Sequence, residues 1–239
     1  NNVWSDSYRG PRIQSLYIGN CDMANTITID RMFYYYAYNL KSLHWPNANF
    51  QSLTNATSAL YNTRGLSNLN LANWNMPKLT GDLPLSGNFA SLTNVNVANW
   101  NAPNATSAYR LFNSSTKLTT LDLSSWNVPK ISNWAYSFAY CPNLTALTLN
   151  CNIAAMENLA YMFYNTTKLP ECPLNLYSLA NNPNLKDVSW LFFNQKNWTQ
   201  NLDALANWNL SNVTYINGMF RNGPMLTNAD IFRNWDLQN

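Results

Sequence analysis

The chain has 239 residues, of which only 10% are Asp, Glu, Lys or Arg, and its formal net charge is +3. It holds 42 Asn and 37 Ser or Thr, yet 46% of its residues are hydrophobic and 14% are aromatic. These proportions exclude intrinsic disorder, and the small, scattered charge excludes the electrostatic footprint of a protein that binds nucleic acid or anionic membrane.

A repeat begins near residue 13 and fills the rest of the sequence. Its first half has the spacing L-x-x-L-x-L, as in Leu118, Leu121 and Leu123. Repeats of 20 to 50 residues are typical of solenoids, in which stacked neighbours share one core. The sequence therefore predicts a single solenoid domain over residues 1–239, with about nine repeats that start near 13, 40, 66, 92, 118, 144, 169, 202 and 226.

Each repeat predicts a short strand followed by one or two helical turns. Alternation in L-x-L points the leucines inward and leaves the intervening residues on the open face of a parallel sheet. Later in the repeat, apolar residues recur three or four apart, as in Val128, Ile131, Trp134 and Phe138, which favours one face of a short helix. The predicted fold class is an α/β solenoid resembling leucine-rich repeats.

Tryptophans recur between these two halves. Trp74, Trp100 and Trp126 lie 26 residues apart, each inside the phrase Ala-Asn-Trp-Asn or Ser-Ser-Trp-Asn. We predict that they stack in a column at the edge of the core. The Asn residues beside them are expected to bond exposed backbone groups at the strand ends.

The repeat resembles one known family. The stretches 118–127, Leu-Thr-Thr-Leu-Asp-Leu-Ser-Ser-Trp-Asn, and 212–220, Asn-Val-Thr-Tyr-Ile-Asn-Gly-Met-Phe, are similar to the BspA-like leucine-rich-repeat surface proteins. The resemblance implies a secreted or surface-anchored adhesion and binding module. The Asp that usually follows the Trp in that family is Asn here, at Asn75, Asn101, Asn127 and Asn209.

The open strand face supplies the candidate ligand-binding residues. Small amides and hydroxyls dominate this face, and they suit the hydroxyl edges of a glycan or the polar groups of a protein. An ordinary solvated sheet face is the alternative. The candidates are Tyr17, His44, Asn68, Asn70, Asn94, Asn96, Thr120, Asp122, Thr148 and Glu171.

No catalytic constellation emerges from the sequence. His44 is the single histidine and has no recognisable nucleophile partner. The two acidic residues of the open face, Asp122 and Glu171, would lie about 10 Å apart on non-adjacent rungs of the sheet, which is too far for a retaining glycosidase pair. We predict a protein that is not an enzyme and that has no metal and no cofactor.

The four cysteines lack the spacing of a zinc site. Cys21, Cys141, Cys151 and Cys172 contain no C-x-x-C pair. Buried free thiols are the first interpretation, and one disulfide among Cys141, Cys151 and Cys172 is the alternative.

The leading functional hypothesis is a non-enzymatic extracellular module that binds a protein or glycan on a host or neighbouring cell surface. The alternative is an assembly subunit of a surface layer, fibre or appendage that associates end to end, because residues 234–239 finish in the middle of a repeat without a polar cap. The expected location is extracellular or at the cell surface, with signal peptide and anchor outside this sequence. The sequence contains no run of 18 apolar residues, so it predicts no membrane span.

Overall fold

A computed structural model of the chain describes residues 13–19, 21–34, 39–174, 176–179, 182–198 and 202–223, together with Phe232 and Trp235. The backbone winds as a solenoid in which each coil pairs in parallel with the next. The elements in chain order are the strands β1 (Ser15–Tyr17), β2 (Ser42–His44), β3 (Asn68–Asn70), β4 (Gly81–Asp82), β5 (Asn94–Asn96), β6 (Ala105–Ser107), β7 (Thr120–Leu123) and β8 (Ala146–Leu149), and the helices Ile153–Ala155 (3-10), α1 (Leu176–Leu179) and Leu202–Asn207 (3-10).

The strands form three parallel sheets. The largest has the order β1-β2-β3-β5, while β4 pairs with β6 and β7 pairs with β8. In the large sheet Leu16 pairs with Leu43, Leu43 with Leu69, and Leu69 with Val95. The predicted L-x-x-L-x-L strand is therefore present in the first six repeats, and its period is kept from strand to strand.

The later repeats depart from the prediction. Residues 169–174 form bends without a strand, and the repeat near 202 opens with the 3-10 helix Leu202–Asn207. The repeat predicted near 226 lies outside the described residues. Nine strand-bearing repeats are thus not seen in the described part of the chain, and the single-domain assignment of residues 1–239 stays a prediction.

The prediction of helical turns is wrong for the segments in which apolar residues recur three or four apart. Around Trp134 the backbone N–H groups alternate between two kinds of acceptor. Those of Trp134, Tyr136 and Phe138 donate to carbonyls 24 residues ahead, in the next coil. Those of Ser137 and Ala139 donate to carbonyls three residues back. A helix would direct every N–H within its own segment, so the apolar spacing of three and four reflects tight turns between coils.

Left-handed residues make these turns possible. Tyr136 and Tyr140 have φ of 59° and 58°, and Tyr161 and Asn165 have φ of 57° and 56° in the next coil. Non-glycine residues seldom adopt this region, and Asn does so most readily. A left-handed residue every four positions interrupts the right-handed helical conformation. The apolar spacing of three and four residues therefore does not yield a helix here.

The predicted tryptophan column is present. The rings of Trp74 and Trp100 stack at 5.8 Å and 12°, and those of Trp100 and Trp126 at 4.9 Å and 9°. All three side chains are buried. Each indole N–H also donates to a strand-end carbonyl in the preceding coil, as Trp100 does to Leu71 at 2.7 Å and Trp126 does to Val97 at 2.7 Å.

The side chains of the asparagines beside Trp74, Trp100 and Trp126 bond one another rather than the backbone. The amide nitrogen of Asn101 donates to the amide oxygen of Asn75 at 2.7 Å, and Asn127 donates to Asn101 at 2.6 Å. Asn99 donates in the same way to Asn73 at 2.8 Å. An amide carries both donors and acceptors, so identical residues can bond along a column. Backbone carbonyls are bonded instead by turn asparagines such as Asn104, Asn143 and Asn212.

We expect the indole N–H of Trp100 to stabilise the fold, because Trp100→Phe would leave the buried Leu71 carbonyl without its donor. The control is Trp134→Phe, since Trp134 is equally buried but its indole N–H meets no acceptor among the described residues. Urea denaturation should give a loss in free energy of unfolding about 1–3 kcal/mol greater for Trp100→Phe. Equal losses would show that the indole bond contributes nothing beyond packing.

Candidate functional site

A groove of about 360 Å³ lies on the outer face of the β1-β2-β3-β5 sheet. The strands present alternate side chains to this face, as the L-x-L pattern predicts. The groove brings together seven of the ten candidate residues, namely Tyr17, His44, Asn68, Asn70, Asn94, Asn96 and Thr120.

The rings at one end of the groove are held by a defined contact. Tyr17 and His44 lie with ring centroids 5.5 Å apart at 38°, and Tyr17 is 72% exposed. The amide oxygen of Asn70 accepts the N–H of Ala72 at 3.2 Å, which turns its nitrogen towards His44 Nδ1 at 3.1 Å. With this amide orientation His44 Nδ1 is the acceptor in its contact with Asn70.

The remaining amides of the groove are held by one bond between coils and by bonds within their own coil. Asn94 donates to Asn68 at 2.6 Å, and Asn68 donates to the Ser67 hydroxyl at 3.1 Å. The amide oxygen of Asn96 accepts the Ala98 N–H at 3.3 Å. Each amide offers two N–H groups and two acceptor lone pairs, so these bonds fix the side chains and leave further polar capacity facing the groove.

Three candidates lie apart from the groove. Asp122 and Thr148 lie on β7 and β8, which form a separate sheet, and Glu171 lies in a bend. The sheet is interrupted between β5 and β7, where the Asn99 N–H donates to the Ser125 hydroxyl at 2.8 Å. The backbone N–H and hydroxyl of Ser124 hold the pKa of Asp122 below its usual value, so this carboxylate is ionised and occupied within its own turn.

A second surface, of stacked aromatic side chains, was missed by the sequence analysis. Tyr136 and Tyr161 stack at 4.4 Å and 6°, and Tyr161 continues to Trp190 at 5.9 Å and 20°. Tyr164 and Phe193 stack beside them at 4.2 Å and 8°. The available signal was an aromatic residue two positions before each buried Phe: Tyr136 before Phe138, Tyr161 before Phe163 and Trp190 before Phe192.

All four cysteines are free. Cys141 is buried and Cys151 and Cys172 are partly buried, whereas Cys21 is exposed, so the prediction of buried thiols is wrong for Cys21. Burial raises the pKa of Cys141 and of Cys172 to about 12 and that of Cys151 to about 11. These thiols lack the low pKa of a catalytic nucleophile.

The described residues contain no group of three or more His, Cys, Asp or Glu side chains placed to hold a metal ion. Across the same residues, no helix is long and apolar enough to cross a membrane.

Residues 54–175 and 175–239 match the family described as "Mycoplasma protein of unknown function, DUF285". The chain belongs to this family. No curated protein matches the DUF285 chain. This family match is consistent with the predicted repeat protein, whereas the narrower resemblance to BspA-like proteins stays a prediction.

Among solved structures, the DUF285 chain is similar to an internalin from Listeria monocytogenes. The two are 15% identical, and the alignment covers 93% of this chain and 71% of the internalin with a TM-score of 0.34. A likeness this weak carries no argument about function, and the description of the fold depends on the strand pairing and the stacked columns above.

Burial should separate the thiols by their reactivity in the native protein. At pH 8 we expect an aromatic disulfide reagent to label Cys21 rapidly, while Cys141, with a pKa of about 12, holds a thiolate fraction about three orders of magnitude below that of an ordinary thiol. Reagent absorbance and peptide mass spectrometry would identify the sites, with the urea-unfolded protein as control. Rapid native labelling of Cys141 would contradict the buried assignment.

Proposed function

We propose that this protein is a non-enzymatic extracellular binding module that holds its ligand in the strand-face groove. The proposal rests mainly on one observation: the rings of Tyr17 and His44 and several hydrogen-bonded Asn side chains meet in one groove of about 360 Å³. Pockets of this size are typical of small-ligand sites, and repeat proteins commonly bind through their sheet face.

The chemistry of the groove favours a neutral, polar ligand. No Asp, Glu, Lys or Arg is among its lining residues, so charge does not select the ligand. Amides recognise hydroxyl and peptide groups equally well, and the exposed ring of Tyr17 supplies apolar contact area. A neutral glycan or a polar protein segment on a host or neighbouring cell therefore suits the groove.

The resemblance to BspA-like surface proteins supports the extracellular or cell-surface location and the role in adhesion. The alternative of an assembly subunit depended on residues 234–239. Trp235 apart, that segment lies outside the described residues, so end-to-end association stays a prediction.

Binding should be weakened by changes in the groove and not by changes elsewhere on the strand face. Against arrays of neutral oligosaccharides and extracellular-matrix proteins, we expect saturable binding that His44→Ala and Asn70→Ala each weaken about 5- to 150-fold, the effect of losing about 1–3 kcal/mol. Thr148→Ala is the matched control, because Thr148 lies on β8 outside the groove.

Biolayer interferometry would give the dissociation constants, and repeating it between 0.05 and 0.5 M NaCl would test the neutral character of the site. Little change with salt is expected, because the groove is uncharged. Absence of binding to every probe, or equal losses for Asn70→Ala and Thr148→Ala, would contradict the proposal.

A further inference from the structure

A second cavity, of about 270 Å³, shares no residue with the strand-face groove. It lies where the early coils turn, on the part of the solenoid that carries the stacked aromatic side chains in later coils. Its lining combines cations, phenols, hydroxyls and one carboxylate: Arg31, Tyr34, Thr57, Ser58, Tyr61, Asp82, Ser86, Tyr109 and Arg110.

The cavity exists because the aromatic column is interrupted. In later coils the first left-handed turn position holds Tyr136, Tyr161 or Trp190, and their rings stack. In earlier coils the corresponding left-handed position holds Arg31, Ser58 or Arg110. A small residue at 58 leaves a gap in the column between the two arginines, and that gap opens to solvent.

Gly87 keeps the gap open beside Tyr61. Tyr34 and Tyr61 stack at 5.2 Å and 20°, and Gly87 lies 26 residues after Tyr61. A Cβ at Gly87 would lie 2.7 Å from the Arg110 carbonyl oxygen and 2.8 Å from Asn113 Cβ, and the backbone of Gly87 has a φ of +75°. The position therefore requires glycine, so no ring can continue the stack past Tyr61.

The guanidinium group of Arg110 is positioned by two rings, and that of Arg31 by one ring and by Asp30. Arg110 Cζ lies 5.0 Å from the Tyr109 ring centroid and 5.5 Å from that of Tyr136, and Arg31 Cζ lies 5.6 Å from that of Tyr34. No described carboxylate lies within 4.0 Å of Arg110, and Arg31 meets only Asp30 at 4.0 Å. Cation–π contacts orient a guanidinium while leaving N–H groups for a bidentate carboxylate.

The other polar groups distinguish an acidic sugar from a simple anion. Asp82 would repel an anion placed beside it but can accept hydrogen bonds from sugar hydroxyls, as can the hydroxyls of Thr57, Ser58 and Ser86, so a ligand with hydroxyl groups as well as one carboxylate suits the cavity better than a simple anion. The tyrosine rings offer a surface for the C–H face of a pyranose. A volume of about 270 Å³ is just below the usual range for drug-sized ligands, which suits one sugar residue.

We propose that this cavity binds a carboxylate-bearing sugar residue within an acidic polysaccharide. The carboxylate pairs with Arg110, and the pyranose ring packs beside Tyr61. This site is separate from the strand-face groove, so the two proposals can fail independently.

The test is calorimetric titration with a hyaluronan hexasaccharide, in which every second residue is glucuronic acid, and with its carboxyl methyl ester. We expect Arg110→Gln or esterification to weaken binding at least tenfold. Ser58→Tyr, which fills the gap without changing charge, should weaken it similarly. The controls are Lys117→Gln, an exposed cation outside the cavity, and His44→Ala in the groove, each with less than a twofold effect.

Circular dichroism of each variant would confirm that it is folded. No binding of the hexasaccharide to the folded protein would overturn the proposal. Equal weakening by Lys117→Gln and Arg110→Gln would also overturn it, by showing diffuse charge attraction. Competition by sodium sulfate at the same concentration as the hexasaccharide would reduce the site to a general anion site and overturn the assignment to a sugar.

Discussion

Hydrogen bonding between equivalent residues of successive coils is the constraint on which this structure depends. Strand N–H groups, the indole N–H groups of the tryptophan column and many side-chain amides find their partners one coil away, as the pairs Asn75–Asn101 and Trp100–Leu71 show. Identical side chains stacked at about 4.8 Å must be compatible with themselves. Like charges at that spacing repel, whereas an amide donates on one side and accepts on the other. This requirement accounts for the low proportion of charged residues and the high proportion of Asn.

The two proposed binding sites differ in how they follow from hydrogen bonding and stacking between equivalent residues: the groove lies where the repeat is regular, and the second cavity lies where it is interrupted. The continuous four-stranded sheet aligns Asn68 with Asn94 and His44 with Asn70, and this alignment builds the strand-face groove. The second cavity arises where one coil supplies Ser58 and another supplies Gly87 in place of rings. A regular column would be sealed, so the interruptions are where a ligand can approach the rings.

The sequence alone predicted the strands, the tryptophan column and most of the groove, because the leucine period and the phrase around Trp100 repeat with little change. It failed where backbone conformation overrides side-chain pattern. Left-handed Tyr136 and Tyr161 turn an apparently helical run into inter-coil turns. The separation of Asp122 from the groove was equally hidden, since the large sheet ends at β5 and β7 belongs to another sheet, although the leucine period continues unchanged across the break.

The register of the coils is tested most directly by disulfide trapping in a Cys21→Ser background. Asn68 and Asn94 are paired across β3 and β5, so Asn68→Cys with Asn94→Cys places two thiols on adjacent rungs about 4.8 Å apart at Cα, within disulfide range. Asn68→Cys with Asn96→Cys shifts the pair by two residues on the same face, to about 8 Å, beyond that range. Mild oxidation followed by peptide mass spectrometry should cross-link the first pair alone. Equal cross-linking of the shifted pair would contradict the register and, with it, the columns that the groove and cavity require.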